Sequence, residues 1–356
     1  MKILHTSDIH IDSPLTARLT SDKARERRAE LRSGFSRLIS EARLQGVKAF
    51  IIAGDLFDES KISRRSLLSV LDAISEAREI SFYYLQGNHE GDALISSGAV
   101  LPENLNIFGD EWTYFESDEV CFAGRGRICE NMFDSLALSE GKKNVVVLHG
   151  ELRDGKCADG VIGTKDAAER GISYLALGHY HSYSSTRIDE KCIAVYSGTP
   201  EGRGFDETGE KGYVMIDTDE ELSFEFVPFA KRRLHIAEVD ITGLTRPSEI
   251  EERADIALSS IPYSDIVRLE LVGGYPPELW RDTERLLQKF SGKFYYFEVK
   301  DSSRPIINPD SYKNDKSLKG EFIRTVMADD ALSEDEKARI ILCGINALMG
   351  EELFGG

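Results

Sequence analysis

Leu177-Gly178-His179-Tyr180-His181, LGHYH, sets two imidazoles one residue apart in a chain with only seven histidines. It follows directly on a short apolar run, Ser173 to Leu177, SYLAL. On an extended segment alternate side chains point to the same side, so both rings can face one point. Four similar runs come earlier: Lys2 to Thr6 (KILHT), Lys48 to Ala53 (KAFIIA), Ser81 to Leu85 (SFYYL) and Asn144 to Leu148 (NVVVL). Each is short and β-rich enough to be a buried strand. Between them, AELRSGFSRLISEARLQG places Leu31, Phe35, Leu38, Ile39 and Ala42 at helical spacing, and RRSLLSVLDAISEAR does the same with Leu67, Leu71 and Ile74. Strands alternating with helices predict an α/β core.

The turns at the ends of these strands carry the chemistry. The first strand runs into SDIHID with Asp8 and His10, the second into GDLFDES with Asp55, and the third into GNHEGD with Asn88 and His89. After the fourth comes HGE with His149, and after the fifth GHYH with His179 and His181. Six of the seven histidines lie in or beside these turns; His235 alone stands elsewhere, and His5 falls within its strand, so neither is given a role. In open α/β sheets the loops at strand ends converge on one rim. Five loops therefore deliver Asp, His and Asn donors to one place.

That donor set suits two divalent cations. One can take Asp8, His10, Asp55 and His181, the other Asp55, Asn88, His149 and His179, with the Asp55 carboxylate bridging. Two cations about 3.5 to 4 Å apart can hold a hydroxide between them and clamp the oxygens of an in-line phosphoryl displacement. Imidazole, carboxylate and amide ligation without thiolate suits manganese, iron or zinc.

Composition narrows the setting. The chain of 356 residues is 41% hydrophobic, enough to bury one large domain or two unequal ones. No apolar run approaches the length of a membrane span, and the opening MKILHTSDI lacks the build of a signal peptide, which predicts a soluble, cytoplasmic protein with no membrane role. Five scattered cysteines form no CxxC pair, so neither a disulfide framework nor a zinc–thiolate site is expected. The net charge of −18 argues against nonspecific coating of nucleic acid. A local basic surface remains open in RLTSDKARERRAELR, where Arg18, Lys23, Arg25, Arg27, Arg28 and Arg32 collect on a helix; a solvated face interleaved with glutamates is the equal alternative.

The series SDIH, GDLFD, GNHE, LHGE and GHYH resembles the calcineurin-like metallophosphoesterase superfamily, and MKILHTSDIHIDSPL resembles within it the Mre11/SbcD-type DNA repair exonucleases. The resemblance covers roughly residues 1 to 230. It implies a four-layer αββα sandwich with a dimetal site at one sheet edge, manganese as the metal, and cleavage of DNA phosphodiesters. It implies that CIAVYSG, GYVMIDT and LSFEFVPF complete the second sheet. His89 matches the family histidine that contacts the scissile phosphate and helps protonate the leaving oxygen, work suited to a near-neutral pKa. The branch usually reads GNHD where this chain has Glu90, and Asp58 stands where some members carry histidine. Arg203 in SGTPEGRGFDE and Arg125 and Arg127 in AGRGR are candidate phosphate contacts. Protein Ser/Thr phosphatases also carry GNHE, but their GDxVDRG clamp arginine is missing from GDLFDES. A small-molecule phosphodiesterase of the same superfamily, or a noncatalytic metal-binding scaffold for an ATPase, remains the alternative.

Past FVPFAKRRLH the pattern changes, which sets domains at 1–232, 233–303 and 304–356. HIAEVDITGL, SEIEERADIALSSI, DIVRLELVGG, PELWRDTERLLQKFSG and FYYFEVKD read as strand, helix, strand, helix, strand: a small α/β module that by resemblance caps the nuclease face, or else a stabilising appendage. Two short amphipathic helices come next, carrying Leu318, Phe322, Ile323, Val326 and Met327, then Ile341, Ile345, Leu348 and Met349 behind a capping box from Ser333 to Glu336. By resemblance they grip a Rad50/SbcC-like ATPase; packing on their own domain is the alternative. The helix from Arg64 to Arg78 is, again by resemblance, a homodimer surface.

Overall fold

The structure, a computed structural model, describes residues 1–13, 15, 19–58, 63–87, 94, 98–276, 279–306 and 312–349. It divides into two compact units, Met1–Arg233 and Leu234–Gly356. In chain order the first unit runs β1 (Lys2–Thr6), α1 (Ser21–Leu44), β2 (Ala49–Ala53), α2 (Arg64–Glu76), β3 (Ser81–Leu85), β4 (Leu105–Ile107), β5 (Thr113–Glu116), β6 (Val120–Gly124), β7 (Lys143–His149), β8 (Glu151–Arg153), β9 (Val161–Gly163), α3 (Thr164–Ala167), β10 (Tyr174–Gly178), β11 (Ser184–Arg187), β12 (Ile193–Tyr196), β13 (Gly212–Asp217) and β14 (Ser223–Pro228).

Two six-stranded sheets result, one ordered β14-β13-β1-β2-β3-β4 and the other β11-β12-β10-β7-β6-β5. Each has four successive parallel strands, β1 to β4 in the first and β12, β10, β7 and β6 in the second. Their faces are both covered, which is why these strands read as continuous apolar runs. One face of each sheet meets the other through Ile3, Ile51, Tyr83, Val145, Val147 and Tyr174, where the Tyr83 and Phe122 rings stack at 4.0 Å. The alternate residues Leu4, Phe50, Ile52 and Phe82 turn to Phe35, Leu38, Leu71 and Ile74 of α1 and α2. Burying each such side chain stabilises the fold by roughly 1.5–3 kcal/mol. On the far side Val146, Leu148, Leu175 and Leu177 pack on Met132, Phe133, Ile162 and Ala167. This is the α/β core that the strand and helix pattern predicted, in the four-layer sandwich that the family resemblance implied.

Two expectations are corrected. GYVMIDT and LSFEFVPF, as β13 and β14, extend the first sheet, β13 antiparallel to β1 and β14 antiparallel to β13, and only the IAVY segment joins the second. The outer edge of β1 is open to them because the parallel order grows only from its other side. Arg27, counted with a basic helix face, is buried: it bonds Glu30 at 3.0 Å and Glu201 at 2.7 Å. Its helical position points inward, so the charge is kept there only by these carboxylates.

The second unit runs β15 (Leu234–Asp240), α4 (Pro247–Leu258), β16 (Ile266–Val272), β17 (Gly274–Tyr275), α5 (Thr283–Phe290), β18 (Tyr296–Asp301), β19 (Arg304–Pro305), α6 (Leu318–Met327) and α7 (Glu334–Met349). β15, β16 and β18 form a parallel sheet whose core joins Val239, Leu269 and Leu271 to Leu258, Leu286 and Phe290. α6 and α7 bury Ile323, Val326, Ile341 and Ile345 against one another, while Leu318 stays exposed. No helix among the described residues is long and apolar enough to cross a membrane.

Candidate metal centre

The C-terminal ends of β1, β2, β7 and β10 deliver the donors. Asp8 lies just past β1 and Asp55 just past β2; beyond the strands their loops stay zipped, with Asp8 N–H donating to Gly54 O and His10 N–H to Asp55 O, both at 3.0 Å. His149 ends β7 opposite Gly178 of β10, which leads into His179 and His181. The two sheets are joined at this rim by the His179 amide, which donates to both Asp8 carboxylate oxygens at 3.1 Å.

The backbone is strained where the donors sit. Asp8 (φ 51°), His10 (φ 50°), Asp55 (φ 51°) and His179 (φ 107°) all hold positive φ, a conformation that bulky L-residues adopt at a cost of order 1–3 kcal/mol. Two glycines make the close packing possible. A Cβ on Gly54 would lie 2.1 Å from His149 Nδ1, and one on Gly178 would lie 1.9 Å from Ala53 O.

Two donor groups emerge, each with its ligand atoms within 4.8 Å of one another: Asp8, His10 and His181, and Asp8, Asp55 and His149. Asp55 Oδ2 lies 3.8 Å from His10 Nε2 and 3.3 Å from His149 Nε2, so its carboxylate reaches both. Asp8 also belongs to both groups, whereas the sequence pattern assigns it to one side only. His149 Nδ1 donates to Ala53 O at 2.9 Å, leaving Nε2 as the lone-pair donor facing the carboxylates. His181 Nδ1 meets Glu207 Oε1 at 2.7 Å, which turns its Nε2 to within 3.3 Å of His10 Nε2. Two imidazole nitrogens and two buried carboxylates converging this closely repel unless positive charge sits among them. Burial favours neutral His149, yet the Asp55 hydrogen bond and the charges of Asp8 and Asp55 overcome it and raise the ring to about 9. His10 goes the other way, to about 4, because burial and the Arg203 charge outweigh Asp55 and Asp8. The donor set fits divalent cations, which would supply the charge that a proton supplies at His149.

Other expected residues are placed differently. Asn88 and His89, like Arg18 and Glu90, lie outside the described residues. Arg203 is engaged with Glu207 (2.6 Å) and Ser13 (3.0 Å), so it braces the carboxylate that orients His181. Arg125 is buried, donating to Arg127 O at 2.7 Å and pairing with Glu111 at 2.6 Å, while Arg127 is exposed. Asp58 Oδ1 stands 3.5 Å from His10 Nδ1, behind the ring. His5 is fully buried against the Tyr174 hydroxyl at 3.0 Å, and burial lowers it to about 3. Sequence reasoning missed Glu207 and Ser7, whose hydroxyl donates to Asp8 Oδ2 at 2.5 Å and meets Ser197 at 2.9 Å. Burial alone would raise Glu207, but hydrogen bonds from His181 and Arg203 hold it at about 2.

The chain belongs to the calcineurin-like phosphoesterase family, whose model matches residues 1–206. It is similar to the uncharacterized metallophosphoesterase YhaO of Bacillus subtilis, 25% identical over 315 residues that cover 82% of this chain and 76% of that one. It is also similar to the DNA double-strand break repair protein Mre11 of Methanopyrus kandleri, 25% identical over 289 residues covering 71% of this chain and 62% of the relative. The chain thus spans less than two thirds of that Mre11. A solved dimetal phosphatase from Danio rerio aligns with a TM-score of 0.40 at 10% identity, covering 63% of this chain and 95% of that one. The family uses divalent metals to hydrolyse phosphoesters.

Proposed function

We propose that the chain is a metal-dependent nuclease that hydrolyses DNA phosphodiesters in double-strand-break processing, an exonuclease of the Mre11/SbcD type. The observation that supports it most is the meeting of Asp8–His10–His181 and Asp8–Asp55–His149 at one rim, with Asp55 within reach of both histidine sets. The Mre11 relatives support DNA as the substrate. In this reading Asp8, His10, Asp55 and His181 hold one cation, and Asp55, Asn88, His149 and His179 the other. Divalent cations bound there, manganese by resemblance, would supply the charge that activates water and neutralises the phosphoryl oxygens. Asp55, in reach of both His10 and His149, would serve both cations, and Glu207 and the Ala53 carbonyl hold the His181 and His149 rings in the ligating tautomer. His89, beside Asn88, gives a proton to the leaving oxygen.

The module at 233–303 is read as a cap over the substrate and the segment at 304–356 as the seat of a Rad50/SbcC-like ATPase, with a second copy of the chain along α2. The test incubates metal-stripped protein with labelled single- and double-stranded DNA and a small phosphodiester, with and without manganese. Manganese-dependent DNA cleavage is expected. Turnover of the small diester with DNA untouched, in the presence of the ATPase as well as without it, would move the assignment to a small-molecule phosphodiesterase.

A further inference from the structure

A chain of net charge −18 that works on DNA needs a local attraction for phosphate. Most arginines near the rim are already engaged: Arg27 with Glu30 and Glu201, Arg37 with Glu201, Arg203 with Glu207, Arg232 with Glu30. Three that line cavities beside the donor cluster or the α1–α2 cleft are different. Arg28 and Arg32, one turn apart on α1, and Arg65, in the first turn of α2, have exposed side chains with no ion pair or hydrogen bond among the described residues.

These three line two cavities that share Arg32. Arg28 and Arg32 line a small cavity of about 60 Å³ whose opposite wall is His10 and Asp12, so it borders the donor cluster directly. Arg32 also lines a wider cleft of about 360 Å³ between α1 and α2, which it shares with Arg65 and with Ser33, Ser36, Ser66 and Ser69. The floor is made by Ile11, Phe35 and Val70, all buried, so no aromatic face is offered to a stacked base. The groove offers instead guanidinium forks and hydroxyls, the groups that hold phosphate oxygens without reading sequence. The opposite side of α1 carries Arg27 and Glu30 into the buried ion network, so the helix divides its charges between scaffold and groove.

We infer that Arg28, Arg32 and Arg65 form a phosphate track along which a nucleic-acid strand lies between the metal rim and the α1–α2 cleft. The inference rests on the nuclease reading above. Arg28 and Arg32 hold the phosphates beside the scissile bond, and Arg65 with Ser36 and Ser69 holds the strand farther out. Three separated contacts fit a strand; a single mononucleotide would leave Arg65 idle.

The test measures binding of a fluorescein-labelled single-stranded oligonucleotide with hydrolysis-resistant phosphorothioate linkages to the manganese-loaded full chain, across a salt titration. A triple Arg28→Ala/Arg32→Ala/Arg65→Ala variant is set beside a triple Arg43→Ala/Arg187→Ala/Arg246→Ala, which loses the same charge elsewhere, and thermal melting checks that both remain folded. The track triple is expected to bind at least about tenfold more weakly, with a log–log salt slope shallower by roughly 2, near 0.7 for each lost phosphate contact. The Arg→Lys triple keeps the charge and recovers the slope, with affinity still below wild type because the fork is lost. An unchanged slope in the track triple, or an equal loss in the matched triple, overturns the track while leaving the nuclease reading intact. No oligonucleotide binding by the wild type overturns both.

Discussion

The first unit pairs His149 with Asp55 at 3.3 Å, and the second pairs His235 with Asp265 at 2.9 Å. By distance the second pair is the better one, yet only the first belongs to a converging donor group. The difference lies in the strand ends. Asp55 and His149 stand at the C-terminal ends of β2 and β7, where loops from two sheets converge. His235 is near the start of β15, and Asp265 immediately precedes β16. Backbone strain divides the same way: the described non-glycine residues at positive φ all fall in the first unit, and in the second the positive-φ positions are Gly243 and Gly273. A histidine–carboxylate contact is therefore an ordinary stabilising pair until several strand-end loops force more donors onto it.

Substituting the two aspartates separates these roles. Asn tolerates the left-handed backbone of residue 55, so Asp55→Asn keeps the fold and removes the shared carboxylate. Both metals are expected to be lost, with kcat/KM falling at least ~10³-fold, about 4 kcal/mol of transition-state stabilisation. Asp265→Asn is expected to lower thermal stability and leave the metal content as it is. Full metal occupancy in Asp55→Asn, by elemental analysis, would break the comparison. The next effect is chemical alone: His89→Ala is expected to lose roughly 10²–10⁴-fold in cleavage with both metals retained. Metal loss in that variant would make His89 a ligand.

Glu207→Gln probes the support of a ring in the donor group. Removing the carboxylate at 2.7 Å from His181 Nδ1 is expected to weaken metal affinity about 10–100-fold, read by titration of the stripped protein, with Glu207→Asp recovering part of it. An affinity equal to wild type would mean that Arg203 or packing alone orients the ring.

The loops that bring Asp8, His10, Asp55, His149 and His181 together were legible because each follows an apolar strand run, and a short run followed by Asp or His has few other readings. The regular module of the second unit was legible for the same reason, through its alternation of strand and helix. Glu207 was not, since it lies four residues past Arg203, deep in the glycine-rich loop after β12 and not at the strand's end. Strands β13 and β14 carried the right β pattern, but pattern does not say which sheet accepts a strand. Arg27 differs from Arg28 only by one position on a helix whose buried face is wider than its apolar residues reveal. Partner carboxylates 174 residues away, such as Glu201, leave no local trace.

That buried network supplies an effect on stability and not on the metals, and it acts on the scaffold beneath the rim. Glu30 contacts Arg27, Lys231 and Arg232 at 2.8 to 3.0 Å, and Glu201 on the same network sits two residues before Arg203. Burial would raise Glu30, but hydrogen bonds from Arg232, Lys231 and Arg27 outweigh it and bring the carboxyl from 4.5 to about 2. A depressed carboxyl stabilises the fold fully above its unfolded value and loses that contribution as pH falls through the folded one. Glu30→Gln is therefore expected to cost on the order of 3 kcal/mol at pH 7. In denaturant unfolding the gap to wild type should persist down to pH near 4.5 and close toward pH 2. A gap that stays constant over that window would show that Glu30 contributes through packing, and that α1 holds the Glu201 loop without help from its charge.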